Sequence, residues 1–130
     1  MHIDKLTQIV ISICIKIHNK IGPGCYEKVY EEILYYELTK MGFKVERQIL
    51  MSLDWEELKV DRAYKLDLLV DDRLILELKC LNPMPSVYFK QIRTHLSLMD
   101  LKYGMLINFK VDMMRDGLHR VYNNNGREQM

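Results

Sequence analysis

Two acidic residues and a lysine stand on either side of a short polar turn, with Asp67 before the turn and Glu77 and Lys79 after it. A hairpin centred on Asp72 would place Asp67 directly opposite Glu77 on one face. Opposed side chains on paired strands have Cβ atoms about 5 Å apart, and like charges repel each other at that distance. Converging carboxylates suit a hard cation, and Mg²⁺ commonly uses one or two carboxylates together with water and phosphate.

The same register sorts the other residues of the hairpin by polarity, and a one-residue slip would destroy this sorting. One face would hold only apolar pairs, which are Val70–Leu74, Leu68–Leu76 and Leu66–Leu78. The other face would hold the pairs Leu69–Ile75, Asp67–Glu77 and Lys65–Lys79. The alternative is a solvated face on which the two lysines neutralise the acids diagonally, and the pair alone does not decide between the two interpretations.

Two predicted helices direct further polar groups toward the buried side. In the second helix, Glu27 falls on the same arc as Leu34 and Leu38, where an unpaired charge would be costly. Its alternative role is to stabilise the helix dipole, which is worth about 0.3–1 kcal/mol. In the third helix, Gln91 and His95 border the apolar face, and for His95 a hydrogen-bonded place at the edge of the core is favoured over a ligand role. Taken together, these groups favour a functional site.

The elements that must position these residues follow from hydrophobic periodicity and from turn residues. The first helix carries an apolar stripe from Leu6 to Ile17, and Ser86 is the expected N-cap of the third helix. The remaining predicted elements are a second helix at 26–41, a strand at 43–53, a turn at 54–57, strands at 58–70 and 74–81, a strand at 104–109 and a further strand candidate at 118–122. This order predicts one mixed α/β domain over residues 1–122, followed by a polar tail at 123–130.

Length and composition exclude several classes of protein. The chain has 130 residues, of which 48% are hydrophobic and 28% charged, with a formal net charge of +1. It is therefore neither disordered nor strongly basic overall. Its most apolar stretch, residues 9–15, is far shorter than the ~20 residues of a membrane span. The three cysteines, Cys14, Cys25 and Cys80, lack metal-ligand spacing, which predicts buried thiols in a cytoplasmic protein.

The first helix is apolar on two faces, because Ile11 and Ile15 lie opposite its main stripe. Such a helix either lies between two layers of a core or takes part in a subunit contact. A homodimer through this helix is therefore an expectation of the sequence.

Several segments match a known pattern in chain order. Residues 24–30 (GCYEKVY) fit GxxExxY, and YKLDLLV at 64–70, LELK at 76–79, Gln91 and LINF at 106–109 follow. Together they resemble the GxxExxY protein family, a branch of the PD-(D/E)xK nuclease superfamily, over residues 6–121. The resemblance implies a restriction-endonuclease-like fold. This is an α-β-β-β-α-β core with a mixed sheet, preceded here by an extra N-terminal helix.

The resemblance also implies roles for individual residues. Asp67 and Glu77 would hold Mg²⁺, for which Mn²⁺ can substitute, and Glu27 would complete the site as a third acid. Lys79 would serve the attacking water and the scissile phosphate as the catalytic lysine. Gln91 corresponds to a glutamine of RecB-like members.

The implied activity is Mg²⁺-dependent hydrolysis of phosphodiester bonds, with DNA as the expected substrate. Contacts to the phosphate backbone are expected from exposed basic residues, namely Lys65, Lys90, Arg93, Lys110, Arg115 and Arg120. The alternative is a non-catalytic module that keeps the nuclease fold and binds nucleic acid or another protein. His95 stands where related sequences often have a tyrosine, which leaves its role open.

Overall fold

A computed structural model describes residues 1–127, and its elements follow the expected order. They are α1 (Ile3–Ile21), α2 (Glu27–Lys40), β1 (Val45–Trp55), β2 (Leu58–Val70), β3 (Leu74–Lys79), α3 (Val87–Met99), β4 (Tyr103–Asn108), a short 3₁₀ helix (Met114–Gly117) and β5 (Leu118–Tyr122). This arrangement confirms the mixed α/β class, with an α-β-β-β-α-β core and an additional helix before it.

The five strands form one mixed sheet in the order β1-β2-β3-β4-β5. Neighbouring strands are antiparallel except β3 and β4, which are parallel and are joined through α3. Because these two strands run in the same direction, their carboxyl ends meet at one edge, where Lys79 pairs with Asn108. This is the edge at which open α/β sheets usually place their ligands.

Helices cover both faces of the sheet and enclose two apolar clusters. The first cluster joins α1 and α2 to the sheet, and its strand residues include Leu68, Val70, Leu74, Leu76 and Leu78. The second cluster joins α3 to the opposite face, and its strand residues include Leu66, Leu69, Ile75, Leu106 and Val121. Burial of both faces explains why β3 and β4 consist mainly of apolar residues.

The β2–β3 hairpin confirms part of the predicted register and corrects the rest. Within the described chain, the ladder consists of three of the expected pairs, Val70–Leu74, Leu69–Ile75 and Leu68–Leu76. The pairs expected beyond it are not formed, and Leu66 lies on the α3 side with Leu69 instead of the side that holds Leu68. The alternation therefore changes at Asp67.

Several element boundaries differ from the prediction. β1 runs through Trp55, which pairs with Leu58, so the turn contains only residues 56–57 and places Glu56 in the left-handed region. β3 ends at Lys79 rather than at residue 81. Ser86 precedes α3, but its side chain makes no capping hydrogen bond because its backbone is already helical.

The second apolar face of α1 is divided between the core and solvent. Ile11 packs against the first cluster, whereas Ile15 is 38% exposed. Within residues 1–127, no helix combines the length and the hydropathy that crossing a membrane requires.

The beginning of the expected polar tail is attached to the domain. The Asn123 backbone N–H donates to the Lys102 carbonyl oxygen at 2.9 Å, and Arg127 pairs with Asp100 at 2.7 Å. Residues 128–130 lie outside the described part of the chain, and the domain boundary at 122 stays a prediction.

A substitution at Gly117 tests how tightly the 3₁₀ helix packs against the end of β4. A Cβ atom there would lie 1.9 Å from the Asn108 carbonyl oxygen, so Gly117→Ala must displace backbone. We expect it to lower the free energy of unfolding by about 1–3 kcal/mol, measured by urea denaturation. Gly24→Ala is the matched control, because a Cβ atom at Gly24 meets open space. Equal stability of the two variants would contradict this packing.

Candidate active site

The two carboxyl groups of the hairpin are buried rather than solvated. Asp67 is 8% exposed and Glu77 is 5% exposed, so the alternative of a solvated charged face is wrong. The backbone N–H of Leu78 donates to Asp67 Oδ2 at 2.9 Å. Asp67 thus bonds to β3 through its side chain just beyond the last ladder pair, and its carboxylate is held between the two strands.

Glu77 lies in an environment that disfavours its ionised form. Burial raises the pKa of Glu77 to about 7, and the neighbouring Asp67 carboxyl adds to the rise through repulsion and hydrogen bonding. A hydrogen bond with His95 opposes this rise, since His95 Nδ1 lies 3.0 Å from Glu77 Oε1. His95 is buried and stacks on Tyr64, with ring centroids 5.2 Å apart. The imidazole therefore fixes the orientation of the Glu77 carboxyl group.

Glu27 is the first residue of α2 and lies close to Asp67 of β2 and Lys79 of β3. Its side chain is exposed, unlike Leu34 and Leu38 on the arc with which it was grouped. Desolvation of its carboxyl group and repulsion from Asp67 nevertheless raise the pKa of Glu27, while the Lys79 ammonium lowers it. The structure thus brings Glu27 into the electrostatic field of Asp67 and Lys79.

Lys79 stands at the carboxyl end of β3, two residues after Glu77 on the same face of the strand. Its Nζ lies 4.2 Å from the ring centroid of Tyr88 at the start of α3. A cation–π contact of this kind attracts the ammonium without neutralising it. Lys79 is therefore a charged group in a defined position, close enough to the Glu27 carboxyl group to lower its pKa.

The other predicted site residues lie on the surface. Gln91, Lys90 and Arg93 are exposed on α3, and Lys65 is exposed on β2, close enough to lower the pKa of Glu27. Among residues 1–127, none of these four side chains forms a hydrogen bond or an ion pair. They remain available to a ligand, but the fold itself assigns them no partner.

Sequence reasoning missed two residues that support the site. Glu31 is buried, and Gln48 Nε2 donates to its Oε1. Gln48 adopts a left-handed backbone with φ 51°, at the β1 position that faces Asp67 in the register. The position of Glu31, one helical turn after Glu27, was an available signal, whereas nothing in the β1 sequence indicates the left-handed residue.

Asn108 is a third supporting residue that the sequence analysis did not single out. It is buried, and its Oδ1 accepts the backbone N–H groups of Leu81 and Lys110, each at 3.1 Å. Its Nδ2 donates to the Leu81 carbonyl oxygen at 2.6 Å. Asn108 thereby ties the segment after β3 to the segment after β4, at the edge of the sheet that carries Lys79.

Comparison with known families assigns the sequence to a superfamily. A sequence model of the PD-(D/E)XK nuclease superfamily matches residues 4–121. The chain belongs to the PD-(D/E)XK nuclease superfamily. Comparisons with curated proteins and with solved structures gave no match. The mixed sheet with α2 before β1 and α3 between β3 and β4 is consistent with the restriction-endonuclease-like fold of this superfamily.

PD-(D/E)XK nucleases generally use divalent metal ions, and the carboxyl pair fits such an ion. Asp67 and Glu77 supply the oxygen donors that hard cations prefer, and a divalent cation relieves the repulsion between two buried acids. Within residues 1–127, no group of three or more His, Cys, Asp or Glu side chains is arranged as a metal cluster. A pair of carboxylates completed by water is within the usual range for Mg²⁺.

The raised pKa of Glu77 predicts how stability depends on pH in the absence of divalent metal. Protonated Glu77 favours the folded state, so its contribution is present below about pH 4.5 and is lost as the pH rises through about 7. In EDTA, the free energy of unfolding of the wild type should fall between about pH 4.5 and pH 7 because of Glu77, by about 3 kcal/mol at most. Glu77→Gln should remove this fall. Urea denaturation at a series of pH values measures the effect, with Glu57→Gln on the exposed β1–β2 turn as the control. Parallel profiles for wild type and Glu77→Gln would contradict the assignment.

Proposed function

We propose that this PD-(D/E)XK domain is a Mg²⁺-dependent nuclease that hydrolyses phosphodiester bonds in DNA, and that it belongs to the GxxExxY branch of the superfamily. The observation that carries the proposal is the buried Asp67–Glu77 pair with Lys79 beside it at the carboxyl end of β3. Superfamily membership supports nuclease activity. We propose Mg²⁺ as the cation, DNA as the substrate and the cytoplasm as the location of the protein.

In this proposal Asp67 and Glu77 hold the cation directly, and Glu27 adds a third acid from α2 that reaches the cation through a water molecule. When bound, the cation lowers the pKa of a water and neutralises negative charge on the phosphate. The Leu78 N–H and the His95 imidazole hold the two carboxyl groups in fixed orientations, which supports this assignment. Preorganised ligands need little rearrangement during the reaction.

Lys79 acts on the substrate as the catalytic lysine. Its ammonium orients the attacking water or stabilises the negative charge that develops on the phosphate oxygens. Phosphoryl transfer depends mainly on positioning and on electrostatic stabilisation. Lys79 suits this task because its ammonium is held by Tyr88 at the carboxyl end of β3, two residues after Glu77.

Exposed polar residues around the pair supply contacts to the substrate. Gln91 is proposed as an additional catalytic-site residue, and Lys65, Lys90 and Arg93 are proposed to bind phosphate groups along the DNA. Because the formal net charge is only +1, such contacts are local, and the affinity should be modest and sensitive to salt.

Cleavage assays on single- and double-stranded DNA with Mg²⁺ or Mn²⁺ test the proposal. Asp67→Asn and Lys79→Met should each reduce the rate by roughly 100-fold or more, because each removes a group that stabilises the transition state. Mg²⁺ should raise the melting temperature of the wild type but not that of Asp67→Asn. Glu57→Gln, on the exposed β1–β2 turn, is the control.

Equal cleavage by wild type and Asp67→Asn would identify a contaminating nuclease and would overturn the proposal. A stable wild-type protein that neither cleaves DNA nor responds to Mg²⁺ would favour the alternative, a non-catalytic module that keeps the nuclease fold.

We also propose a homodimer through α1, supported by the partial exposure of Ile15 on its outer face. Sedimentation at tens of micromolar should show a dimer for the wild type and a monomer for Ile15→Glu. Lys20→Glu provides a control with a change to glutamate on the same helix, since Lys20 is already an exposed charged residue. A wild-type monomer at this concentration would exclude the dimer.

A further inference from the structure

A cavity of about 490 Å³ adjoins the candidate active site and has no role in the mechanism proposed above. Residues 23–27 form one wall, and Cys80 and Lys110 form the other. Glu27 belongs to both the cavity and the acidic site, and Cys80 directly follows Lys79. The volume lies within the roughly 300–1,000 Å³ that is typical of small-molecule sites.

The first wall is held by Tyr30, which is fully buried in α2. Its hydroxyl donates to the Gly22 carbonyl oxygen at 2.6 Å and accepts the Cys25 backbone N–H at 3.1 Å. Its ring stacks on Phe109, with centroids 4.2 Å apart. The loop between α1 and α2 is thereby fixed to the end of β4, so this wall is preformed.

The second wall is held from two sides. Asn108 accepts the backbone N–H of Lys110, and His18 at the end of α1 donates through Nε2 to the Val111 carbonyl oxygen at 2.8 Å. The backbone on both sides of Lys110 is therefore anchored, whereas its side chain is exposed. An anchored lysine loses less conformational freedom when it binds an anion.

The chemistry of the cavity lining suits a nucleotide. Tyr26 is 86% exposed, and its side chain contacts no ring or hydrogen-bonding partner within residues 1–127. Burial raises the pKa of the Cys80 thiol to about 11, so the thiol is neutral at physiological pH. An exposed aromatic ring and an ammonium group are the combination by which proteins bind single-stranded nucleic acids, through base stacking and phosphate contacts.

We propose that this cavity binds an unpaired nucleotide of the substrate strand, with its base stacked on Tyr26 and its phosphate on Lys110. The inference rests on the proposed nuclease function and adds the substrate class, a single-stranded or locally unpaired nucleic acid. A base inside a duplex is already stacked between its neighbours and does not present a free face to Tyr26.

A second cavity on the other side of Glu27 strengthens this assignment. It measures about 500 Å³ and is lined by Glu27, Lys28, Glu31 and Gln48. Two carboxyl groups oppose its single ammonium, so it is less favourable to a phosphate than the cavity that carries Lys110. In this proposal the substrate nucleic-acid strand therefore runs from the acidic pair into the cavity that carries Lys110, and not into the second cavity.

The experiment measures binding in EDTA, where no cleavage occurs, by fluorescence anisotropy of a labelled oligothymidylate and of a labelled duplex. Tyr26→Ala should weaken binding of the single strand by about 5- to 150-fold, whereas Tyr26→Phe should bind like the wild type. Lys110→Ala should reduce the slope of log affinity against log salt concentration by about 0.7, the value for one phosphate contact on a single strand.

Two matched controls keep the test specific. Tyr36→Ala removes a different exposed tyrosine, which lies within α2, and Lys59→Ala removes a different exposed lysine, at the start of β2. Both should bind the single strand like the wild type. Thermal melting should show that all variants are folded, since Tyr26 and Lys110 have exposed side chains.

Unchanged binding of the single strand by Tyr26→Ala and Lys110→Ala would overturn the inference, as would an equal loss of duplex binding in Tyr26→Ala. If the wild type cleaves DNA while these two variants bind and cleave like the controls, the nuclease proposal stands and the nucleotide site is excluded. If the binding pattern holds but no metal supports cleavage, the nucleotide site stands and the nuclease proposal fails.

Discussion

The burial of Asp67 and Glu77 side by side is the constraint on which the arrangement of this domain depends. Two neighbouring carboxyl groups removed from water are unfavourable, and here burial and the Asp67 carboxyl group together disfavour the ionised form of Glu77. The fold compensates only in part, with the Leu78 N–H bonded to Asp67 and the His95 imidazole bonded to Glu77. What remains is a preference for positive charge at this point, which is the property that a cation-dependent site requires.

The same constraint explains why the sheet is irregular here. β2 and β3 stop pairing after Leu68–Leu76, while β3 continues to pair with β4 as far as Lys79–Asn108. An aspartate side chain takes over the contact with β3, and on the other side of β2 the residue that faces Asp67 is the left-handed Gln48. Irregular backbone of this kind is common where a sheet re-aims a side chain toward a site.

The sequence predicted those features that depend on local patterns. Strict alternation next to a tight turn fixed the register of the first three β2–β3 pairs, and the apolar stripes located the three helices. It failed where distant contacts decide the outcome. The change of face between Leu66 and Leu68 coincides with the left-handed Gln48 in the neighbouring strand β1. The contact between His95 and Glu77 depends on how α3 packs across the sheet.

Exposure was the quantity that periodicity predicted least well. Glu27 shares a helical arc with Leu34 and Leu38, yet it is exposed because it is the first residue of α2, whereas the two leucines lie farther along the helix, within the first cluster. Glu31 is the acid of α2 that is buried. A helical wheel gives direction around the axis, whereas burial also depends on position along it.

The GxxExxY spacing acquires a physical explanation from these contacts. Tyr30 follows Glu27 by three residues, so the two side chains lie on neighbouring parts of one helical face. By bonding back to Gly22 and Cys25 and by stacking on Phe109, Tyr30 fixes the first turn of α2 against the end of β4. Glu27 is exposed and has no hydrogen bond of its own within residues 1–127. Its place beside Asp67 and Lys79 is therefore set by the tyrosine, which makes the buried hydroxyl and ring of Tyr30 part of what positions the acidic site.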